Sequence, residues 1–231
     1  LKTTFFFDGE PLDTAAPDAA NLGLAVDIGT TTVAVYLCDM DMGRVVGTCG
    51  FRNPQASYGA DVISRIDKIM KEPAALKEEQ RLIIEAIGRT AAELCAACGC
   101  TVADVRAAVF CGNTVMQHIA AGIDPSSIAR APFTAPTLFG EFYRADAVGL
   151  PIFPAAPIYF SPCFASYVGG DIACGMIAAG LDRPSDNVLF IDIGTNGEIG
   201  LSTKNGLYFC SAAAGPAFEG AHIECGMAGT A

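Results

Sequence analysis

The sequence predicts a mixed α/β fold built from one complete lobe and the opening of a second. Three observations predict it. A short phrase recurs, DIGTTT at residues 27–32 and DIGTNGE at residues 192–198. Each copy follows an apolar run (LGLAV, NVLFI) and precedes a second strand-like run (VAVYLC, IGLS). Between the copies the hydrophobic period shifts from strand-like runs to helical spacing, as α/β folds require.

The elements follow in order. Residues 1–21 are rich in Pro, Ala and Asp from Pro11 onward and read as a linker. Strands are expected at 22–27, 32–39 and 44–51, with a turn at Asp41-Met42-Gly43. Val62, Ile63, Ile66 and Ile69 recur at helical spacing, and Pro73 breaks that pattern. A second, long helix carries Leu76, Leu82, Ile83, Ala86, Ile87, Ala91 and Leu94 on one stripe and stops at Gly99. Thr101 opens a short turn to Asp104, residues 105–111 form a fourth strand, and Asn113 begins a helix. Residues 122–156 are Pro-rich and read as an irregular docking loop. A fifth strand at 157–162 leads to a helix opened by Gly169-Gly170-Asp171 and ended at Gly180. A strand from Asn187, the second DIGT turn and strands at 198–203 and 207–213 close the described order. The first lobe therefore spans 22–183 and the truncated second lobe 184–231. Three strands at the start of each half separate this pattern from a Rossmann domain, where a helix follows the first strand.

A strand that ends in Asp, turns through Gly and returns as a strand is suited to phosphate. Glycine lets backbone N–H groups approach an anion. Threonine adds hydroxyl donors, and the aspartate can hold a hydrated metal ion beside the phosphates. The candidate cofactor-binding residues are Gly29, Thr30, Thr31 and Thr32 in the first turn. In the second they are Gly194, Thr195, Asn196, Gly197 and Glu198. Asp27 and Asp192 are the candidate catalytic pair and the candidate holders of Mg²⁺ through water. The paired hairpins resemble the ASKHA superfamily (acetate and sugar kinases, Hsp70, actin), whose two ribonuclease-H-like lobes grip ATP between them.

Three further segments fit that resemblance. GGDIACGMIAAG sets Asp171 at a helix start, where the superfamily places an acidic or amide residue facing the γ-phosphate; a plain cap explains the same residue. SAAAGPAFEGAHIECGM contributes Gly215 and Glu219 at the base of the cleft. CGNTVMQHIAAG puts Asn113 and Thr114 at a strand end and helix start, a favoured ligand position in α/β folds.

LAVDIGTTTVAVYLCDM, RNPQASYGADVISRI, GNTVMQHIAAGIDP, PFTAP, YVGGDIACGM, FIDIGTNGEI and AGPAFEGAHIECGM together resemble one family, the reductive activators of corrinoid enzymes. The resemblance runs from about Leu22 to Gly226. It implies the ATP-binding ASKHA region of a protein that uses ATP hydrolysis to return Co(II) corrinoid to Co(I). The partner implied is a methyltransferase or corrinoid protein. It also implies ATP and Mg²⁺ as cofactors, with a 2Fe–2S cluster only in a preceding ferredoxin-like domain. A homodimer stays open. The activators of 2-hydroxyacyl-CoA dehydratases and benzoyl-CoA reductases, and a non-catalytic nucleotide-responsive docking module, remain alternatives.

Composition bounds the reading. A net charge of −11 argues against nucleic acid and anionic membranes as partners. The most apolar late stretch, AVGLPIFPAAPIYFSPCFA, is broken by four prolines, and no export signal is visible, so a cytoplasmic setting is expected. The chain starts at Leu1 and stops at Ala231 in a Gly-rich run, which reads as a piece of a longer protein. Among the ten cysteines, Cys38, Cys111, Cys174 and Cys210 read as small buried hydrophobes. Cys95, Cys98 and Cys100 lack a clear fourth ligand and are expected to be metal-free. His118 and His222 are expected to be structural or exposed.

Overall fold

The structure, a computed structural model, describes residues 21–181, 187–194 and 196–212, with two short strands before them. Those strands, Phe6–Phe7 (β1) and Glu10–Pro11 (β2), pair antiparallel within the segment expected to be a linker.

The first lobe opens with the meander β3 (Leu22–Ile28), β4 (Thr32–Asp39) and β5 (Arg44–Arg52). The β4–β5 turn is fixed by Asp39, whose Oδ1 accepts from the backbone N–H groups of Asp41 at 3.1 Å and Met42 at 2.9 Å. Two helices follow, α1 (Val62–Lys71) and α2 (Ala74–Ala97). Asp61 and Ser64 start α1 with a reciprocal capping box, which satisfies two otherwise orphaned N–H groups. Then come β6 (Val105–Gly112), α3 (Thr114–Ala121), β7 (Glu141–Arg144), α4 (Ala145–Val148), β8 (Pro157–Phe160) and α5 (Gly170–Ala178).

The six strands lie in the order β5-β4-β3-β6-β8-β7. β6 and β8 run parallel to β3, whereas β4, β5 and β7 pair antiparallel with their neighbours. One face of this sheet is the core. Leu24, Val26, Ile28, Val33, Val35, Leu37, Phe110, Ile158 and Phe160 alternate onto it and meet Ile83, Ile87, Met116 and Ile119 from α2 and α3. Each such aliphatic side chain contributes about 1.5–3 kcal/mol when fully buried. The other face is more open: Ala25, Ala34, Cys38, Ala107, Cys111 and Tyr159 are half-buried, and Asp27, Tyr36 and Val109 are exposed. Helix α5 packs across that side against β6.

The segment expected to be irregular, 122–156, contains β7 and α4, and β7 completes the sheet edge by pairing with β8. Its four residues, EFYR, are too short and too mixed to show alternation. The stripe on α2 is also displaced. Ala75, Glu79, Ile83, Ile87, Ala91 and Cys95 are buried at steps of four, while Leu76, Leu82 and Leu94 flank them half-buried.

A second, three-stranded antiparallel sheet contains β9 (Val188–Ile193), β10 (Gly197–Thr203) and β11 (Gly206–Ala212), in the order β11-β10-β9. It is joined to the first lobe by packing and by a hydrogen bond. Phe164 stacks on Phe209 with ring centroids 4.3 Å apart, and the Phe190 ring lies over Gly175. Ser202 Oγ donates to the Leu181 carbonyl at 3.0 Å. Among the described residues, no helix is long and apolar enough to cross a membrane.

Candidate functional site

The two DIGT turns occupy equivalent places. Asp27 is the penultimate residue of β3 and Asp192 the penultimate residue of β9. Each strand then turns into an antiparallel partner, with Asp27 opposite Ala34 and Asp192 opposite Glu198. The first turn needs glycine at position 29, because a Cβ there would run into the Thr32 carbonyl. The backbone N–H groups of Thr30 and Thr31 find no acceptor among the described residues, as an anion-binding turn requires. Thr31 and Thr32 are exposed, whereas Thr30 is buried and its Oγ1 accepts from Asn113 Nδ2 at 2.9 Å.

Asn113 also caps α3, accepting from the Met116 N–H at 3.0 Å. One side chain therefore ties a helix start to the turn. In the second turn, the Gly194 N–H donates to the Asn196 carbonyl at 2.8 Å. Thr195, Gly215 and Glu219 lie outside the described residues, as does His222.

Asp171 stands in the first turn of α5, but Gly169, not Asp171, is the N-cap. Its Oδ1 accepts from the Ile172 N–H at 2.8 Å. Three backbones meet closely here. A Cβ on Gly169 would strike the Gly112 carbonyl, Asn113 and Asp171, and one on Gly170 would strike Ser161 and Gln117. Buried Gln117 locks this corner, donating to the Ser161 carbonyl at 2.9 Å and accepting from the Gly170 N–H at 3.1 Å.

The carboxylates sense one another. Desolvation raises the Asp171 carboxyl to about 7; the Ile172 N–H opposes this, and Asp27, Glu198 and Asp192 add to it. Asp27 is raised first by the crowding of the cleft walls, although its surface stays open to solvent, and then by Asp192. Glu198 is raised by desolvation and by Asp192, against a hydrogen bond from Ser211 Oγ at 3.1 Å. Asp27 on β3, Asp171 on α5 and Glu198 on β10 thus each feel the negative charge of Asp192, with no lysine or arginine among the causes of their shifts. Such a group favours a cation. Among the described residues, no three His, Cys, Asp or Glu side chains converge closely enough to chelate a metal directly. A cation here would be held through its water shell, as Mg²⁺ is bound when phosphates supply the inner ligands.

The cysteines depart from expectation. Cys38, Cys111 and Cys174 are half-buried and Cys210 is exposed; among the described residues the buried ones are Cys95 and Cys163. Cys111 lies beside Asp27 in the β3–β6 register and so points to the open face. It faces Cys174, whose thiol is lowered chiefly by a hydrogen bond with Cys111. His118 is buried and structural: its Nδ1 meets the Thr114 carbonyl at 2.6 Å and its ring meets Phe139 edge-on.

Two cavities accompany these residues. The larger, about 810 Å³, lies at the starts of β3 and β6 among Gly23, Ala25, Met40, Phe142 and Tyr159. It is remote from the turns and carries no candidate residue. The smaller, about 630 Å³, runs between the lobes from Ile63, Phe133 and Tyr167 to Asn196 and Phe209.

Residues 22–184 match the family model described as the RACo middle region. Residues 186–231 match the C-terminal domain of RACo, the ASKHA domain. The chain is 35% identical over 208 residues to the corrinoid activation enzyme RamQ of Eubacterium limosum, covering 90% of this chain and 35% of RamQ. It is 25% identical over 224 residues to the [Co(II) methylated amine-specific corrinoid protein] reductase of Methanosarcina barkeri, covering 89% and 38%. A solved reductive activator for corrinoid, iron-sulfur protein superposes with a TM-score of 0.87 at 39% identity, covering 97% of this chain and 36% of that one. The chain thus spans little more than a third of the length of each of these proteins.

Proposed function

The chain belongs to the RACo family of corrinoid reductive activators, with an ASKHA fold, and on that premise we propose that it is the ATP-binding and ATP-hydrolysing region of such an activator. The whole protein would restore Co(II) corrinoid to Co(I) on a partner corrinoid protein or methyltransferase. The observation that carries the nucleotide reading is the equivalent placement of two phosphate-type turns, with Asp27 and Asp192 at matching strand positions and near enough to Asp171 to raise its carboxyl. The match to RACo over residues 22–184 favours this reading over an activator of the dehydratase type.

Each side chain has a defined task on this reading. The N–H groups of Thr30 and Thr31, without an acceptor among the described residues, receive phosphate oxygens. Asp27 and Asp192, one from each lobe, hold the water shell of Mg²⁺, which neutralises phosphate charge when bound. Asp171, held at the start of α5, orients a water for attack on the terminal phosphate. Binding that joins both sheets favours one arrangement of the lobes, and a partner that prefers the same arrangement is coupled to it. The electron would come from the 2Fe–2S cluster expected elsewhere in the full-length protein.

The test uses full-length protein, a corrinoid protein poised as Co(II), a low-potential reductant and Mg·ATP. Loss of the Co(II) visible spectrum is expected with ATP and not with a non-hydrolysable analogue. Equal reduction with both nucleotides would overturn the reading.

A further inference from the structure

The segment RNPQASYGADVISR, residues 52–65, has no counterpart in a general phosphate hairpin, yet it contains two of the chain's most deeply buried polar side chains. Asn53 is 1% exposed and Arg65 is fully buried. Both reach the same place. Asn53 Nδ2 donates to the Gly29 carbonyl at 2.8 Å. Arg65 Nη2 donates to the Thr30 carbonyl at 2.6 Å. The Asn53 N–H donates to the Thr31 carbonyl at 2.8 Å. Three successive carbonyls of the first turn are therefore gripped from the core side.

A trans peptide is planar, with its C=O and N–H pointing opposite ways. Drawing back the carbonyls of Gly29 and Thr30 turns the N–H groups of Thr30 and Thr31 outward, where they find no acceptor among the described residues. The grip is itself braced. Arg65 Nε donates to the Gly59 carbonyl at 3.1 Å, and Nη1 donates to Gln55 Oε1 at 3.1 Å. Gln55 accepts no freedom of its own: its N–H is held by Asn53 Oδ1 at 2.9 Å and its Nε2 by the Glu79 carbonyl at 3.0 Å. The whole assembly rests on α2.

We propose that Asn53 and Arg65 are positioning residues that hold the first turn in its anion-receiving form, so that residues 52–65 act as the rear clamp of an oxyanion site. The inference rests on the nucleotide reading for the identity of the anion. A clamp of this kind removes the reorganisation that a flexible turn would undergo on meeting phosphate.

The experiment uses full-length protein carrying Arg65→Lys or Asn53→Asp. Lysine keeps the charge but cannot span the oxygen acceptors on Gly59, Gln55 and Thr30 that the guanidinium fork reaches together. Aspartate keeps the acceptor for Gln55 and loses the donor to Gly29. Two quantities are read in each folded variant: Mg·ATP affinity and amide exchange across residues 27–33. The expected result is an affinity loss on the order of tenfold, about one charge-assisted hydrogen bond, with exchange accelerated in the 27–33 peptide above the rest of the lobe. Unchanged affinity and exchange would overturn the proposal. So would exchange raised uniformly through the lobe, the mark of a merely structural role. If wild-type protein binds no nucleotide, the nucleotide reading fails, while the exchange measurement still decides whether these two residues hold the turn.

Discussion

Arg65 and Glu79 are both fully buried, carry opposite charges and share no hydrogen bond or close ion pair. Neither carboxylate oxygen of Glu79 has a hydrogen-bonding partner among the described residues. Desolvation raises Glu79 to about 7, with the Arg65 charge pulling the other way. Desolvation likewise lowers Arg65 to about 10, offset by Glu79 and Asp61. The interior thus accommodates a charge it satisfies on one side only.

A pH-dependent stability follows. A carboxyl raised on folding binds its proton more tightly in the native state, so its stabilising contribution is complete below its unfolded value and is lost as pH rises to the folded one. For Glu79 that window runs from 4.5 to about 7. Glu79→Gln should remove this slope and stabilise the protein at pH 8 relative to wild type by on the order of 1–3 kcal/mol. Thermal melts of both proteins at pH 5 and pH 8 check it; a variant less stable than wild type at pH 8 would show that the Arg65 attraction dominates.

Asp171 shows the same sign with a functional readout. Its window runs from 3.8 to about 7. Because it is only half-buried, Asp171→Asn should gain no more than ~1–2 kcal/mol above pH 7 after allowing for solvent screening. The same variant should lose ATP turnover in the full-length protein. Denaturant titrations across pH and a phosphate-release assay separate the two effects, and unchanged turnover would remove Asp171 from the mechanism.

Asp27→Asn and Asp192→Asn should each lower Mg·ATP hydrolysis by about 10²–10³, the range for losing one preorganised electrostatic contact. Neither should unfold the protein. Asp27 is exposed to the cleft and raised partly by Asp192, so neutralising it relieves repulsion. Excess Mg²⁺ should restore part of the activity. Circular dichroism alongside phosphate release tests this; wild-type turnover in either variant would exclude that residue.

Asn113 performs two tasks that one substitution can separate. Asn113→Asp keeps the acceptor that caps α3 and loses the donor to Thr30 Oγ1. Asn113→Ala loses both and should cost about 1 kcal/mol more, the usual worth of a cap. Both variants should weaken Mg·ATP binding similarly, whereas only the alanine should lower the melting temperature appreciably. Equal melting temperatures would mean that the cap contributes little.

The sequence made the turns readable because they repeat: the same strand–Asp–Gly–strand context stands at Asp27 and at Asp192, and the structure sets both at penultimate strand positions. Helix α2 was legible in extent but not in orientation. Its buried row includes Glu79 and Thr90, which a hydrophobic stripe passes over, and leaves out Leu76 and Leu94. Arg65 was hidden for the same reason, since a charged residue on an amphipathic helix normally marks its solvated side. The faces of Cys111 and Cys174 were illegible because an apolar strand buried unequally on its two sides looks uniform until its register is known. Strand β7 gained its identity from pairing with β8, the next strand of the chain, and not from its own four residues.

The acids around the two turns have a consequence for the order of events. In a chain of net charge −11, the space between Asp27 and Asp192 is a region of concentrated negative potential. On the nucleotide reading, a bare polyphosphate approaching it would be turned away, while one that arrives already paired with its cation would be drawn in. On the nucleotide reading, the site filters its visitor by charge before any hydrogen bond forms, and departure is hastened once the cation's hold on the split phosphates weakens.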